Sequence, residues 1–152
     1  MARASNPVAR HHGGMHDDQA IAFLTHGTRT GKLATSTTSG VPHVAPVWFV
    51  ADGRDLVFTT SRDSVKGRQL LVNPIAALCV DDENYPYGFV LVRGPVTIAE
   101  NAPDLLHWAT RIAERYVPAG RAEEYGRRNA VEGELLCRLR LDRVTGATEV
   151  AL

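Results

Sequence analysis

A chain of 152 residues, 44% hydrophobic and 22% charged, has the length and balance of one globular domain with its own core. Its 17 basic and 17 acidic residues cancel, which argues against a nucleic-acid partner, because such binders carry a clear basic excess. No apolar run approaches the roughly 18 residues that a membrane span requires, and Met1 to Met15 lack the apolar stretch of a signal peptide, so a cytoplasmic protein is expected.

In chain order, residues 1–16 read as a flexible polar arm containing Pro7, Gly13 and Gly14, and residues 17–152 as the folded domain. His11, His12 and His16 invite a metal, but no carboxylate or cysteine at ligand spacing completes a site. Asp17-Asp18 caps a short helix with Ile21, Ala22, Phe23 and Leu24 on its apolar face, and Gly27 stops it. Lys32–Thr37 is a strand, Ser39-Gly40 a turn, and 41–50 a second strand. Both faces of that second strand are apolar, which predicts cover on both sides. Pro42 and Pro46 each delete a ladder donor, which predicts an edge or a bulge.

Asp52-Gly53-Arg54-Asp55 is a hairpin turn, Leu56–Thr60 a strand, and Ser64–Val72 a short helix ended by Asn73-Pro74. Ala76–Val80 is a strand, followed by the polar, aromatic loop 81–88. Phe89–Arg93 and Val96–Ala99 are strand, interrupted at Gly94-Pro95. A helix over Pro103–Tyr116 carries the stripe Leu105, Leu106, Ala109, Ile112 and Ala113, with Trp108 and Tyr116 as packing groups. A weaker helix spans Arg121–Asn129. Leu135–Leu141 alternates apolar Leu135, Cys137, Leu139 and Leu141 against a largely wet face, and Thr145–Val150 adds a last strand. Cys79 and Cys137 sit in apolar runs as reduced core thiols. Six or seven strands joined mostly by hairpins, with three or four short helices, predict a mainly β, α+β barrel.

The stretch with the most chemistry runs from Phe58 to Leu71. An apolar strand leads into Thr59, Thr60 and Ser61, and a short basic helix follows. Strand-end hydroxyls, free backbone N–H groups at a helix start, and Lys66 and Arg68 nearby make a cradle for phosphate. The alternative is that Ser64 is only an N-cap and that Lys66 and Arg68 are only solvated. Neither Walker nor Rossmann glycine spacing is present, nor a G-x-S-x-G elbow. The pairs Asp81/Asp82 and Glu123/Glu124 read as solvated charge rather than an acid–base dyad.

The order Gly31-Lys32-Leu33-Ala34-Thr35, Ser39 to Phe49, Leu56 to Thr60, Lys66 to Leu70, Asn73-Pro74 and Ala76 to Val80 resembles the flavin-reductase-like split β-barrels. That superfamily includes pyridoxamine phosphate oxidase. Within it the chain is most similar to the actinobacterial branch that uses the deazaflavin coenzyme F420, over roughly residues 17–150. The resemblance implies a split antiparallel β-barrel and a homodimer with two cofactor sites at the subunit interface. It puts Thr60, Ser61, Ser64, Lys66 and Arg68 around the cofactor phosphate. The ring would lie along the bulged strand near Val41, Pro46, Val47 and Trp48, with Tyr87 approaching from the partner. The sequence departs from the family where a second basic residue often precedes the hook lysine: Ser64 stands near that place and Arg62 is offset.

The activity so implied is hydride transfer from reduced F420 to an activated double bond of a small conjugated molecule. No catalytic side chain is singled out, although His43 is a candidate proton donor. The alternatives are an FMN-dependent oxidase of the pyridoxamine phosphate oxidase type, a non-catalytic carrier of the cofactor, or a haem-binding relative with His26, His43 or His107 as axial ligand.

Overall fold

The computed structural model describes residues 15–152. The expected arm lies outside the described residues except for Met15, which packs against the core, and His16, which precedes the first helix. The element order is α1 (Asp17–Leu24), β1 (Gly31–Ser36), β2 (Pro42–Val47), β3 (Val50–Asp52), β4 (Asp55–Ser61), α2 (Val65–Val72), β5 (Ile75–Asp82), β6 (Gly88–Ala99), α3 (Leu105–Tyr116), α4 (Ala122–Asn129), β7 (Glu134–Arg140) and β8 (Arg143–Thr148).

All strand pairs are antiparallel, in the order β2-β1-β5-β6-β7-β4-β3, with β8 also on β6. The sheet curls into a half-barrel flanked by short helices, a split β-barrel of the α+β class. Its inside is filled by Leu33, Phe49, Leu56, Phe58, Leu78, Val80, Val90, Val92, Leu135, Cys137 and Leu139, all essentially inaccessible to water. Cys137 is a free thiol, and burial pushes its pKa up to about 12, so it stays protonated. Cys79 is also free but only half-buried.

The long strand β6 makes the split. Its first part pairs with β5 and β8, and Val96–Ala99 pair with β7. The interruption expected at Gly94-Pro95 is instead the point where an unbroken strand exchanges partners. Pro95 occupies the last register position against β5, opposite Ile75, where a missing N–H ends that ladder. Gly94 lets the other wall close in, since a Cβ there would stand 2.2 Å from the Arg140 carbonyl oxygen.

The second strand departs from expectation in two ways. It stops at Val47 and resumes as β3 after a break at Trp48-Phe49, which raises the strand number among the described residues to eight. It also sits at one end of the sheet, with Pro42, Val44 and Pro46 exposed rather than covered. The prolines fit that edge, where a lost donor faces no neighbour. On β7 the expected wet face is partly dry. Leu136 is buried together with Val57 and the Ala109, Ile112 and Ala113 face of α3, which packs on β3 and β4. No helix among the described residues is long and apolar enough to cross a membrane.

Gly94→Ala should destabilise the fold by about 1–3 kcal/mol, the range for overpacking, measured as a lower urea midpoint with an unchanged slope. An unaltered midpoint would mean that β6 and the Arg140 carbonyl do not meet as described.

Candidate functional site

The turn from β4 into α2 is held by a closed set of hydrogen bonds. Ser64 is the N-cap of α2: its Oγ accepts from the Gly67 N–H at 3.0 Å and donates to the Ser61 carbonyl at 2.7 Å. Because the one Ser64 hydroxyl proton is committed there, Thr60 Oγ1, at 2.9 Å, donates to Ser64 Oγ. Ser61 Oγ accepts from the Asp63 N–H at 3.2 Å. Helix and strand touch at Gly67, where any Cβ would lie 2.1 Å from the Ser61 carbonyl oxygen. The first-turn N–H groups of Val65 and Lys66 have no acceptor among the described residues, as expected of helix-start donors.

Beside this turn lies a cavity of about 260 Å³. Pro46, Val47, Trp48 and Ile112 supply its apolar wall, and Thr59, Lys66, Asn129 and Glu134 its polar one. Trp48 is held flat. Its ring stacks on Tyr116 at 5.1 Å and 7°, and Tyr125 closes in at 6.4 Å. The backbone behind it is pinned by α3. Arg115 donates to the carbonyls of Leu24, Gly27, Arg29 and Phe49 at 2.7–3.1 Å and stacks on the Phe49 ring. The Tyr116 hydroxyl donates to the Arg29 carbonyl at 2.9 Å and accepts from the Phe49 N–H at 3.3 Å. Burial lowers the Arg115 pKa and raises that of Tyr116.

Glu134 is the cavity's own acid. It starts β7 opposite Ser61 and lines the cavity beside Thr59. Burial raises its pKa, and this outweighs the Thr59 hydroxyl and the Lys66 charge, which lower it. The cavity therefore pairs a cation with a carboxylate that takes up a proton more readily than an ordinary glutamate. An apolar shelf beside an ammonium group and helix-start N–H donors suits a flat molecule with an anionic tail.

Of the expected site residues, Pro46, Val47, Trp48 and Lys66 meet at this cavity, and Thr60, Ser61 and Ser64 form the adjoining turn. Arg68 is exposed further along α2 and does not line the cavity. Val41 lies at the opposite end of β2, beside the Thr37–Gly40 turn. Tyr87 lines a separate depression with Asp81, Asp82 and Phe89. His43 is half-buried on β2, opposite Thr35. Thr59, Asn129 and Glu134 were not singled out by sequence. Glu134 comes next to Lys66 only through the pairing of β4 with β7, across some seventy residues. Among the described residues no cluster of His, Cys, Asp or Glu is arranged to hold a metal.

Fold and cleft define a split-barrel protein of the pyridoxamine phosphate oxidase-like superfamily. The chain belongs to the pyridoxamine 5'-phosphate oxidase family, whose profile matches residues 17–136. It is 39% identical over 77 residues to a pyridoxine/pyridoxamine 5'-phosphate oxidase from Anaeromyxobacter dehalogenans (strain 2CP-C), a match covering 50% of this chain and 38% of the relative. The chain thus spans less than half the length of the curated relatives it matches. Among solved structures it is similar to a conserved hypothetical protein of Mycobacterium tuberculosis, with a TM-score of 0.73, 20% identity, and coverage of 89% of this chain and 86% of that one. It is also similar to an F420 reductase, with a TM-score of 0.62, 27% identity, and coverage of 82% and 94%. The family includes oxidoreductases that use flavin or related cofactors.

Ser64→Ala should cost about 1 kcal/mol, the usual loss for an N-cap hydroxyl, read from urea unfolding; no loss would show that Ser64 does not cap α2. Glu134 has a raised pKa in the fold, so its contribution to stability is complete at pH values below the ordinary glutamate range. That contribution is lost as pH rises through the higher folded value. Glu134→Gln should therefore flatten that decline in stability-versus-pH curves. Parallel curves for the two proteins would contradict the assigned burial.

Proposed function

We propose that the chain is an F420-dependent reductase of the F420-using branch of this superfamily. In this proposal it delivers hydride from the reduced deazaflavin to an activated double bond of a small conjugated molecule. The observation that carries the proposal is the cleft itself, with a flat tryptophan shelf at one side and, at the other, a lysine that has no ion pair among the described residues. The likeness to an F420 reductase over nearly all of that protein's length supports it.

The residues present suit the cofactor's two chemistries. The Lys66 ammonium and the Val65 and Lys66 N–H groups are donors for its phosphodiester, with Thr60, Ser61 and Ser64 shaping the turn. Trp48, Pro46 and Val47 offer a surface for the tricyclic ring. The cofactor, when bound, supplies the hydride. The chain's part would be to hold the phosphate, offer Trp48, Pro46 and Val47 as a surface for the ring, and exclude water from the apolar wall. Arg115 and Tyr116 act through the backbone they pin, keeping Trp48 from turning into the cavity. Glu134, opposite Lys66, is best protonated when an anion sits there, since the neutral acid donates a hydrogen bond and adds no repulsion.

The active form we propose is a homodimer with cofactor sites at the interface. Exposed Val41 just before β2, Val44 on β2, and Leu71 and Val72 on α2 favour such a partner surface. Tyr87, which lies apart from the cleft in one chain, would then reach the site of the other. The second reading, an FMN oxidase, is favoured by the curated relatives' names. FMN shares a phosphate and a tricyclic ring, so the same residues would hold it.

Lys66→Ala should weaken F420 binding by about 1–3 kcal/mol, roughly 5- to 150-fold in Kd, in a fluorescence titration, while the thermal midpoint changes little. FMN is titrated in parallel. Tight FMN binding with none of F420 selects the second reading, and unchanged affinity for both in the variant removes Lys66 from the site.

A further inference from the structure

Glu134 does more than line the Lys66 cavity. It is also a wall residue of a second cavity, of about 340 Å³, which shares no other residue with the first. Arg62, Asp63, Glu100 and Glu132 bound that second space. Arg62 reaches Glu100 at 3.1 Å, so those two charges cancel. Asp63 and Glu132 have no ion pair among the described residues. The acid at the cleft is therefore backed by further negative charge and not by a free cation.

On the cleft side, Lys66 is the one basic side chain among the described residues lining the cavity. It shares that space with Glu134 without closing into an ion pair with it. Thr59 of β4 and Asn129 of α4 face the same space and are neutral, and α3 contributes apolar Ile112. The Cys137 thiol, which feels the Glu134 charge from further along β7, stays protonated. The start of α2 adds roughly half a positive charge. An ionised Glu134 thus cancels most of what Lys66 offers to an anion. Burial delays that ionisation, so the repulsion develops only as pH rises above the ordinary glutamate range.

We propose, resting on the reading of this cleft as a cofactor site, that Glu134 determines which phosphate the cleft accepts: it admits a singly charged phosphodiester beside Lys66 and disfavours a doubly charged phosphomonoester. By Coulomb's law a fixed carboxylate repels a dianion twice as strongly as a monoanion. The F420 tail is joined through a phosphodiester and the FMN tail ends in a phosphomonoester. One side chain thereby discriminates between two cofactors whose rings the same tryptophan shelf would accept.

The test is a fluorescence titration of the full chain, as parent, Glu134→Gln and Lys66→Ala, with F420, FMN and riboflavin cyclic phosphate. The two flavins share a ring and differ in charge, because the cyclic diester has no second proton to lose. Titrations are run at mildly acid and mildly alkaline pH, on either side of the second phosphomonoester pKa of about 6. In the parent the cyclic ester should bind more tightly than FMN at alkaline pH, and the gap should close at acid pH. A lysine without an opposing acid gives the opposite trend, with FMN gaining as its second charge appears. At alkaline pH, Glu134→Gln should tighten the cyclic ester about threefold and FMN about tenfold, since the second charge doubles the free-energy effect of a screened carboxylate. Lys66→Ala should weaken all three ligands. Thermal melts verify folding, and if Glu134→Gln does not fold, the sign of the parent's pH trend decides alone. Three results would overturn the proposal: neither flavin binds any of the proteins, the parent prefers FMN at alkaline pH, or Glu134→Gln shifts both flavins by the same factor. If F420 fails to bind while the flavins split as expected, the deazaflavin reading falls and the charge rule stands. If Lys66→Ala weakens F420 while Glu134→Gln moves both flavins equally, the cofactor reading stands and the charge rule falls.

Discussion

The close approach of Gly67 to the Ser61 carbonyl determines what the rest of the molecule can do. A helix start pressed onto a strand end needs a residue without a side chain at the point of contact. Given that contact, Ser64 falls where its hydroxyl caps the helix and ties back to the strand, and Thr60 is drawn into the same network. Lys66 then emerges on the side of the Trp48 wall. A single steric allowance thus sets the separation between a cation and an aromatic shelf, and that separation defines which molecules fit.

The shelf depends on a different part of the chain. Trp48 and Phe49 break the strand between β2 and β3, and a broken strand leaves backbone groups without ladder partners. Arg115 and Tyr116 satisfy the Phe49 groups and at the same time tie Leu24, Gly27 and Arg29 to α3. The cost of desolvating a guanidinium, visible in the lowered Arg115 pKa, is offset by carbonyl acceptors on several of its donors and by two aromatic faces. The irregular backbone at the cleft therefore has its hydrogen bonds made by α3 in place of a ladder.

Local chemistry carried much of this into the sequence. The Ser39-Gly40 turn, the Ser64 cap, the Asn73-Pro74 stop and the strand-end hydroxyls all act within a few residues, and the structure has them where their side chains put them. A barrel was legible in the order of strands and one inserted helix, and its split form through the family resemblance. What was hidden depends on distant pairing. Gly94-Pro95 resembles a bulge until β5 and β7 are seen to share β6. The apolar run 41–50 suggests a covered strand, although β2 is an edge with exposed prolines and valine. Glu134 gave no signal at all, because its neighbour Lys66 lies on a separate element reached through the β4–β7 ladder. Val41 and Tyr87 rest on the family resemblance and a second subunit, and one chain does not bring them to the cleft.

The most direct measurement is a crystal structure of the protein soaked with coenzyme F420. Phosphodiester oxygens should lie within hydrogen-bond distance of Lys66 Nζ and the first-turn N–H groups of α2, with the deazaflavin against Trp48. Electron density for the whole cofactor at another place, with the Ser61–Lys66 turn empty, would contradict this placement.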